Sequence, residues 1–320
     1  MLARTATSSL RAQARTVPAL SQGTAPRNMA TLREIEMRLK SVKNIEKITK
    51  SMKMIASTKL NRAQRAMNVA KTYGASNNEL FKHAVPTSES TEPKRKLIVV
   101  VSSDKGLCGG IHSSVSKGAR RLLATGTVEQ DDKPRQTKAE KTTPDVPPAA
   151  DSPIVIIGDK SKAQLSRTLP ENFVLTMNQI GRDIPTFADA SAVTDLIVKS
   201  GVKYDSVVIV YNKYVSAIAF QAATMEVLNE KGLKESPGFS TYEQEDDTTR
   251  DLAEFSLANA IYAALVESHA AEQNSRRTAM DNASKNAGDM IGALTMQYNR
   301  GRQASITNEL VDIITGASAL

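Results

Sequence analysis

The sequence predicts an α/β fold in two parts. A long antiparallel coiled coil of the N- and C-terminal helices is joined to an α/β domain with a mainly parallel sheet. Three observations carry this reading. Residues 31–73 hold neither glycine nor proline, and Leu32, Ile35, Leu39, Val42, Ile45, Ile48, Met52, Ile55 and Leu60 recur at a mean spacing of 3.5, the period of a seam between supercoiled helices. From Asp246 to Ile314 there is again no proline. Between these stretches, short β-branched runs alternate with helix-like segments, the pattern of a sheet covered on both faces.

Taken in chain order, the first segment stands apart. Residues 1–29 carry Arg4, Arg11, Arg15 and Arg27, and no acidic residue precedes Glu34. On a helix, Arg4, Arg11 and Arg15 share one face opposite Leu2, Ala6 and Leu10. An Arg-rich, acid-free amphipathic leader has the composition of a mitochondrial transit peptide, so the fold is expected to begin near Ala30.

The first long helix is placed within residues 30–90 and the last within 241–320. Their charges are opposite: residues 31–85 hold twelve Lys/Arg against four Asp/Glu, and residues 246–320 hold six against ten. Two long helices of opposite sign at opposite ends of a chain most simply pair antiparallel. The stretch Ala279–Ala293 is mostly small residues, which lets two axes approach closely.

The α/β domain is expected over residues 91–240. Its strands are read at Leu97–Val101, Ile154–Ile157, Phe173–Met177 and Ser206–Tyr211, with helices at Ser113–Ala124 and Thr186–Lys199. Residues 126–153 are charged and proline-rich, which predicts a flexible surface insertion. Asp and Thr residues just before the last helix offer it an N-cap.

Composition excludes several function classes. Cys108 is the only cysteine, so no intrachain disulfide forms and a reducing compartment is expected. His83, His112 and His269 lie far apart and no CxxC accompanies them, which argues against structural zinc. No apolar run reaches membrane-spanning length, and no cofactor is expected.

The stretch Ser102–Gly110, "SSDKGLCGG", raises the question of a phosphate cradle. Its spacing is neither GxGxxG nor GxxxxGK[ST], so the glycines are read as letting a strand turn into a helix. Asp104, Lys105, His112 and Ser113 could form a hydrolytic group, but no GxSxG elbow is present, and Cys108 is expected to be a small buried residue. The basic face of the first helix, including Lys43, Lys47, Lys50 and Lys53, lacks the interleaved aromatics of a nucleic-acid platform. It is read as a docking face for acidic protein loops. The last eight residues, Ile313–Leu320, carry no side-chain charge.

Three stretches, Ile35–Gln64, Ser102–Val115 and Ser275–Leu320, resemble the gamma-subunit family of F-type ATP synthases, and the likeness covers nearly the whole chain after the leader. The resemblance implies a central rotating shaft inside the F1 hexamer of alternating alpha and beta subunits. A membrane c-ring would turn the α/β domain at its foot, beside small delta and epsilon central-stalk subunits. It implies no chemistry in this chain, no nucleic-acid partner, no membrane span of its own, and a place on the matrix side of the mitochondrial inner membrane. Met52, Arg276, Gln303 and Thr307 match family positions that couple to the beta subunits, with Arg302 adjoining Gln303. Ile313, Ile314 and Leu320 would form an apolar bearing tip. Two rivals make distinct predictions. A Rossmann-type enzyme would bind nucleotide through Gly106–Gly110, and a basic coiled-coil nucleic-acid binder would show steep salt dependence.

Overall fold

The computed structural model describes residues 32–82, 95–125, 152–217, 219–234, 239, 242 and 246–319, with side chains of the first helix described through Gly74. The expected leader (1–29), residues 126–151 of the expected insertion, His83 and Leu320 lie outside them. The chain divides into two compact units, one combining Met1–Lys40 with Ala293–Leu320 and the other running from Ser41 to Gly292.

In the larger unit, strands β1 (Lys96–Val101), β2 (Ile154–Ile157), β3 (Phe173–Met177), β4 (Ser206–Tyr214) and β5 (Phe220–Leu228) form one sheet in the order β3-β2-β1-β4-β5. The first four are mutually parallel, and β5 returns antiparallel to β4. β5 is an addition to the four strands expected from sequence. Helices α2 (Ile111–Thr125), α3 (Asp159–Leu165), α4 (Phe187–Lys199) and α5 (Glu230–Lys234) lie between or after strands. Helices α1 (Leu32–Lys82) and α6 (Thr249–Ser318) pass through both units.

β2 and the Leu97–Val101 part of β1 are apolar and buried without a break because both sheet faces are covered there. Ile98, Val100, Ile156 and Val208 pack with Val115, Ala119 and Leu122 of α2. On the opposite face, Leu97, Val99, Ile157 and Ile209 pack with Val193 and Ile197 of α4 and with Leu257, Ile261 and Leu265 of α6. Each fully buried Leu or Ile contributes about 1.5–3 kcal/mol. α4 starts where the sequence signals it. The Thr186 side chain accepts from the Asp189 backbone N–H while Asp189 accepts from that of Thr186, a capping box.

α6 therefore has two roles in this unit. Residues 256–261 and 264–275 are buried without a break, the signature of a helix enclosed on every side. One side covers the sheet. Another meets α1, where Val266 and Ala270 pack with Ala63, Met67 and Ala70. Lys71 pairs with Glu267 at 3.0 Å, and the same carboxylate accepts from the Tyr214 backbone N–H at the end of β4.

The helix pairing corrects part of the expected seam. Ile45, Ile48, Met52 and Ile55 face solvent, with Ile55 59 % exposed. Leu60 is buried as expected, and the other buried positions of α1 in this unit are Thr49, Ala56, Ala63, Met67 and Ala70, while those of α6 include Met280, Ser284 and Ala287. Small side chains on both helices allow close approach, so the bulky residues are turned outward.

The smaller unit is built from the start of α1 and the end of α6. Ile35 is buried there. A Cβ at Gly301 would lie 3.2 Å from Leu32 Cδ2, so this glycine admits the Leu32 side chain against the α6 backbone.

Candidate functional site

In doubly wound folds, ligands bind outside the carboxyl ends of the strands where the chain order reverses, here between β1 and β4. That crevice is filled by α6. Ala271 is fully buried in a cluster with Cys108 and Ile111 of the β1–α2 junction and is backed by Tyr214 and Phe220. The Ser275 hydroxyl donates to the Cys108 carbonyl, and the Asn274 side-chain amide donates to the Ser216 carbonyl. A protein helix stands where a nucleotide would sit.

The glycine turn is a strand-to-helix junction. Leu107 and Gly109 both adopt positive φ, at 64° and 65°, which explains Gly109 on conformational grounds. A Cβ at Gly109 would also come within 3.3 Å of Ser275 Oγ. The turn seats α6 rather than a phosphate.

Of the residues that could form a hydrolytic group, His112 is turned toward the β1–α2 loop. His112 Nε2 lies 2.9 Å from Cys108 Sγ and 3.2 Å from the Lys105 carbonyl, and Nδ1 has no partner among the described residues. With the proton on Nε2, the tautomer that the Lys105 carbonyl favours, the ring presents no base to the thiol. Burial, reinforced by the charge of Glu272, pushes the Cys108 thiol up to about 11, and burial holds His112 below its ordinary value. Cys108 is buried, as the sequence implied, and that burial favours the protonated thiol.

A cleft of about 400 Å³ opens beside this junction. Met52, Ile55 and Lys59 of α1 line one side, and Glu272, Gln273 and Arg276 of α6 line another. The loops Ser103–Leu107 and Ile180–Arg182 complete it. The cleft brings together Met52 and Arg276, two of the sequence-predicted coupling residues. Arg276 is mostly buried, pairs with Glu272, and also donates to Gln273 Oε1 at 3.2 Å. Its guanidinium is thus held by its own helix while Met52 remains 37 % exposed.

The other predicted residues are dispersed. Lys43 and Lys47 are exposed. Lys50 pairs along α1 with Glu46 at 2.6 Å, and Lys53 crosses to Asp281 of α6 at 2.6 Å. The expected basic face is therefore partly neutralised within the chain. In the smaller unit, Arg302 and Gln303 are exposed, and Thr307 donates its hydroxyl to the Gln303 carbonyl at 2.9 Å. Ile313 and Ile314 are 67 % and 65 % exposed. No cluster of His, Cys, Asp and Glu among the described residues could hold a metal ion, and no described helix is long and apolar enough to cross a membrane.

Sequence reasoning missed Asp104 as a structural hub. Its two carboxylate oxygens accept backbone N–H groups from Asp159 and Gln179, at 3.0 and 2.7 Å. Backbone donors leave no trace in residue identity.

A family model described as ATP synthase matches residues 31–320. The mitochondrial ATP synthase subunit gamma of Yarrowia lipolytica is 49 % identical over 95 % of this chain and 97 % of its own. The Saccharomyces cerevisiae protein of the same name is 45 % identical over 92 % of this chain and 90 % of its own. The gamma subunit of the Rattus norvegicus mitochondrial complex is 41 % identical over 91 % of this chain and 100 % of its own. A chain in the Euglena gracilis mitochondrial ATP synthase structure, rotational state 3, superposes with a TM-score of 0.69 over 90 % of this chain and 94 % of that one, at 18 % identity. That similarity concerns the fold.

Proposed function

The chain belongs to the family of ATP synthase gamma subunits, and from that premise we propose that it is the central rotating shaft of a mitochondrial, proton-driven ATP synthase. It couples rotation of a membrane ring to the cycling of catalytic beta subunits. The observation that carries this reading is the double role of α6, which pairs with α1 and also fills the crevice where an α/β enzyme would bind its ligand. The chain performs no chemistry itself. An asymmetric helix pair makes different contacts with each surrounding subunit, and such differential contacts are what shift a partner's conformational equilibrium.

The site residues acquire roles on that basis. Lys43 and Lys47, exposed and without an ion-pair partner among the described residues, offer cations to acidic loops of the beta subunits. Met52 supplies an apolar contact beside the remaining donors of Arg276. Arg302 and Gln303 are free to hydrogen-bond outward, and the Thr307 oxygen, having donated its proton along the helix, still accepts one. Ile313 and Ile314 present uncharged side chains near the end of α6, and together with Leu320, which lies outside the described residues, they would supply a bearing that turns without breaking ion pairs. The partners are alpha and beta subunits, small central-stalk subunits and the membrane ring, on the matrix side of the inner membrane.

The test is a native pull-down at moderate salt followed by an ATPase assay. Recovery of a multi-subunit ATPase, with the isolated chain inactive and not retained on DNA or RNA, supports the rotor. ATPase activity in the isolated chain would overturn it.

A further inference from the structure

Asp104 lies in the loop after β1, exposed enough to be taken for an ordinary solvated carboxylate. Its bonding is not ordinary. One oxygen accepts from the N–H of Asp159, the first residue of α3, and the other accepts from the N–H of Gln179, just after β3. Gln179 holds φ at 66° without being glycine, a conformation that persists only where its surroundings impose it. Further ties run the same way: the Lys160 N–H donates to the Ser103 carbonyl, and the Ser102 hydroxyl donates to the Ile157 carbonyl. The carboxyl ends of three adjacent strands are joined at one side chain. Two of the joined loops, Ser103–Leu107 and Ile180–Arg182, wall the cleft opposite Met52 and Arg276.

We propose that Asp104 is a positioning residue for coupling, locking the loops after β1, β2 and β3 into one rim against which α1 and α6 are held. This rests on the rotor reading above. Torque entering through the α/β domain reaches the helix pair only as faithfully as that rim keeps its shape. Both oxygens face N–H donors, so the isosteric Asp104→Asn must turn an NH2 group toward one of them and lose a charge-assisted bond. Gln179 then loses the contact that holds its left-handed backbone. Gln179→Gly adopts that φ without the left-handed penalty but restores no tie between the loops.

The experiment uses the assembled complex in vesicles, reading ATP hydrolysis and ATP-driven proton pumping together. For D104N the expected result is hydrolysis within about twofold of the parent and pumping per ATP reduced at least about threefold, as befits loss of a charge-assisted bond. The D104N/Q179G double variant relieves the left-handed backbone without restoring the tie and is expected to stay within about twofold of D104N in pumping per ATP. Pumping per ATP equal to the parent in D104N, or full recovery in the double variant, overturns the proposal. If D104N does not assemble, amide exchange on the unmodified complex decides: protected Asp159 and Gln179 amides support the clamp, and unprotected ones remove it. An unmodified complex that hydrolyses ATP without pumping would strike the rotor reading itself, and the exchange measurement would still judge Asp104.

Discussion

Lys53 on α1 and Asp281 on α6 meet at 2.6 Å across the helix pair, 228 positions apart in sequence. Asp281 is held below the usual carboxylate range by its hydrogen bond to Lys53 and, after it, by that to Lys285. A carboxylate with a lowered folded pKa adds stability above its unfolded value, 3.8, and loses it as pH falls through the folded value. Asp281→Asn is therefore expected to be less stable than the parent at neutral pH and equal to it once both are in strong acid. Urea titrations across that range measure it, and a gap that persists at the lowest pH would contradict the assignment.

Cys108 is expected to resist alkylation. With the thiol pushed up to about 11, the reactive thiolate is roughly 100-fold scarcer at pH 8 than for an ordinary cysteine. Iodoacetamide labelling followed by mass spectrometry should be at least that much slower in the native chain than in urea. Comparable rates would show that α6 does not seal the junction.

The glycines near the strand ends are not equivalent. Gly158 has φ 104°, and a Cβ there would fall 2.7 Å from the Ser102 backbone carbon and 2.8 Å from its oxygen. Gly110 has nothing within 4 Å. Gly158→Ala should cost at least about 2 kcal/mol, and Gly110→Ala should stay within about 0.5 kcal/mol. Thermal melts of the two variants separate these outcomes.

Arg276→Ala removes the partner of a buried carboxylate. Breaking such a pair costs about 3 kcal/mol, and adding Glu272→Gln should restore most of it because no uncompensated charge remains. Denaturation midpoints of the single and double variants provide the cycle. Equal losses in both would mean that the pair is not what Arg276 contributes.

Met52→Lys replaces an apolar residue on the α1 side of the cleft with a second cation beside Lys59. ATP yield per proton is expected to fall more than assembly does, read by comparing subunit recovery with synthesis rate in vesicles. Unchanged yield would remove Met52 from the coupling role.

Much of the fold is legible in the sequence. Four strands, the helix over Thr186–Lys199 and the burial of Cys108 follow from local chemistry. β5 was not legible. Its "FQAATMEVL" has few β-branched residues and becomes a strand through pairing with β4, a context no single stretch carries. The seam was half legible: the 3.5 period identified a paired helix, but which face turns inward depends on the small side chains of the other helix. The Asp104 bonds were invisible because their donors are main-chain groups.

The enclosed stretch of α6 has a mechanical consequence. One helix is both a layer of the α/β domain and half of the helix pair, with Leu257, Ile261 and Leu265 against the sheet and Val266 and Ala270 against α1. Hub and axle are thus keyed by a common spline, with no bearing surface between them on which to slip. Yielding along this stretch would require the core of the domain to come apart, so what give the joint has is left to the rim of loops that Asp104 ties.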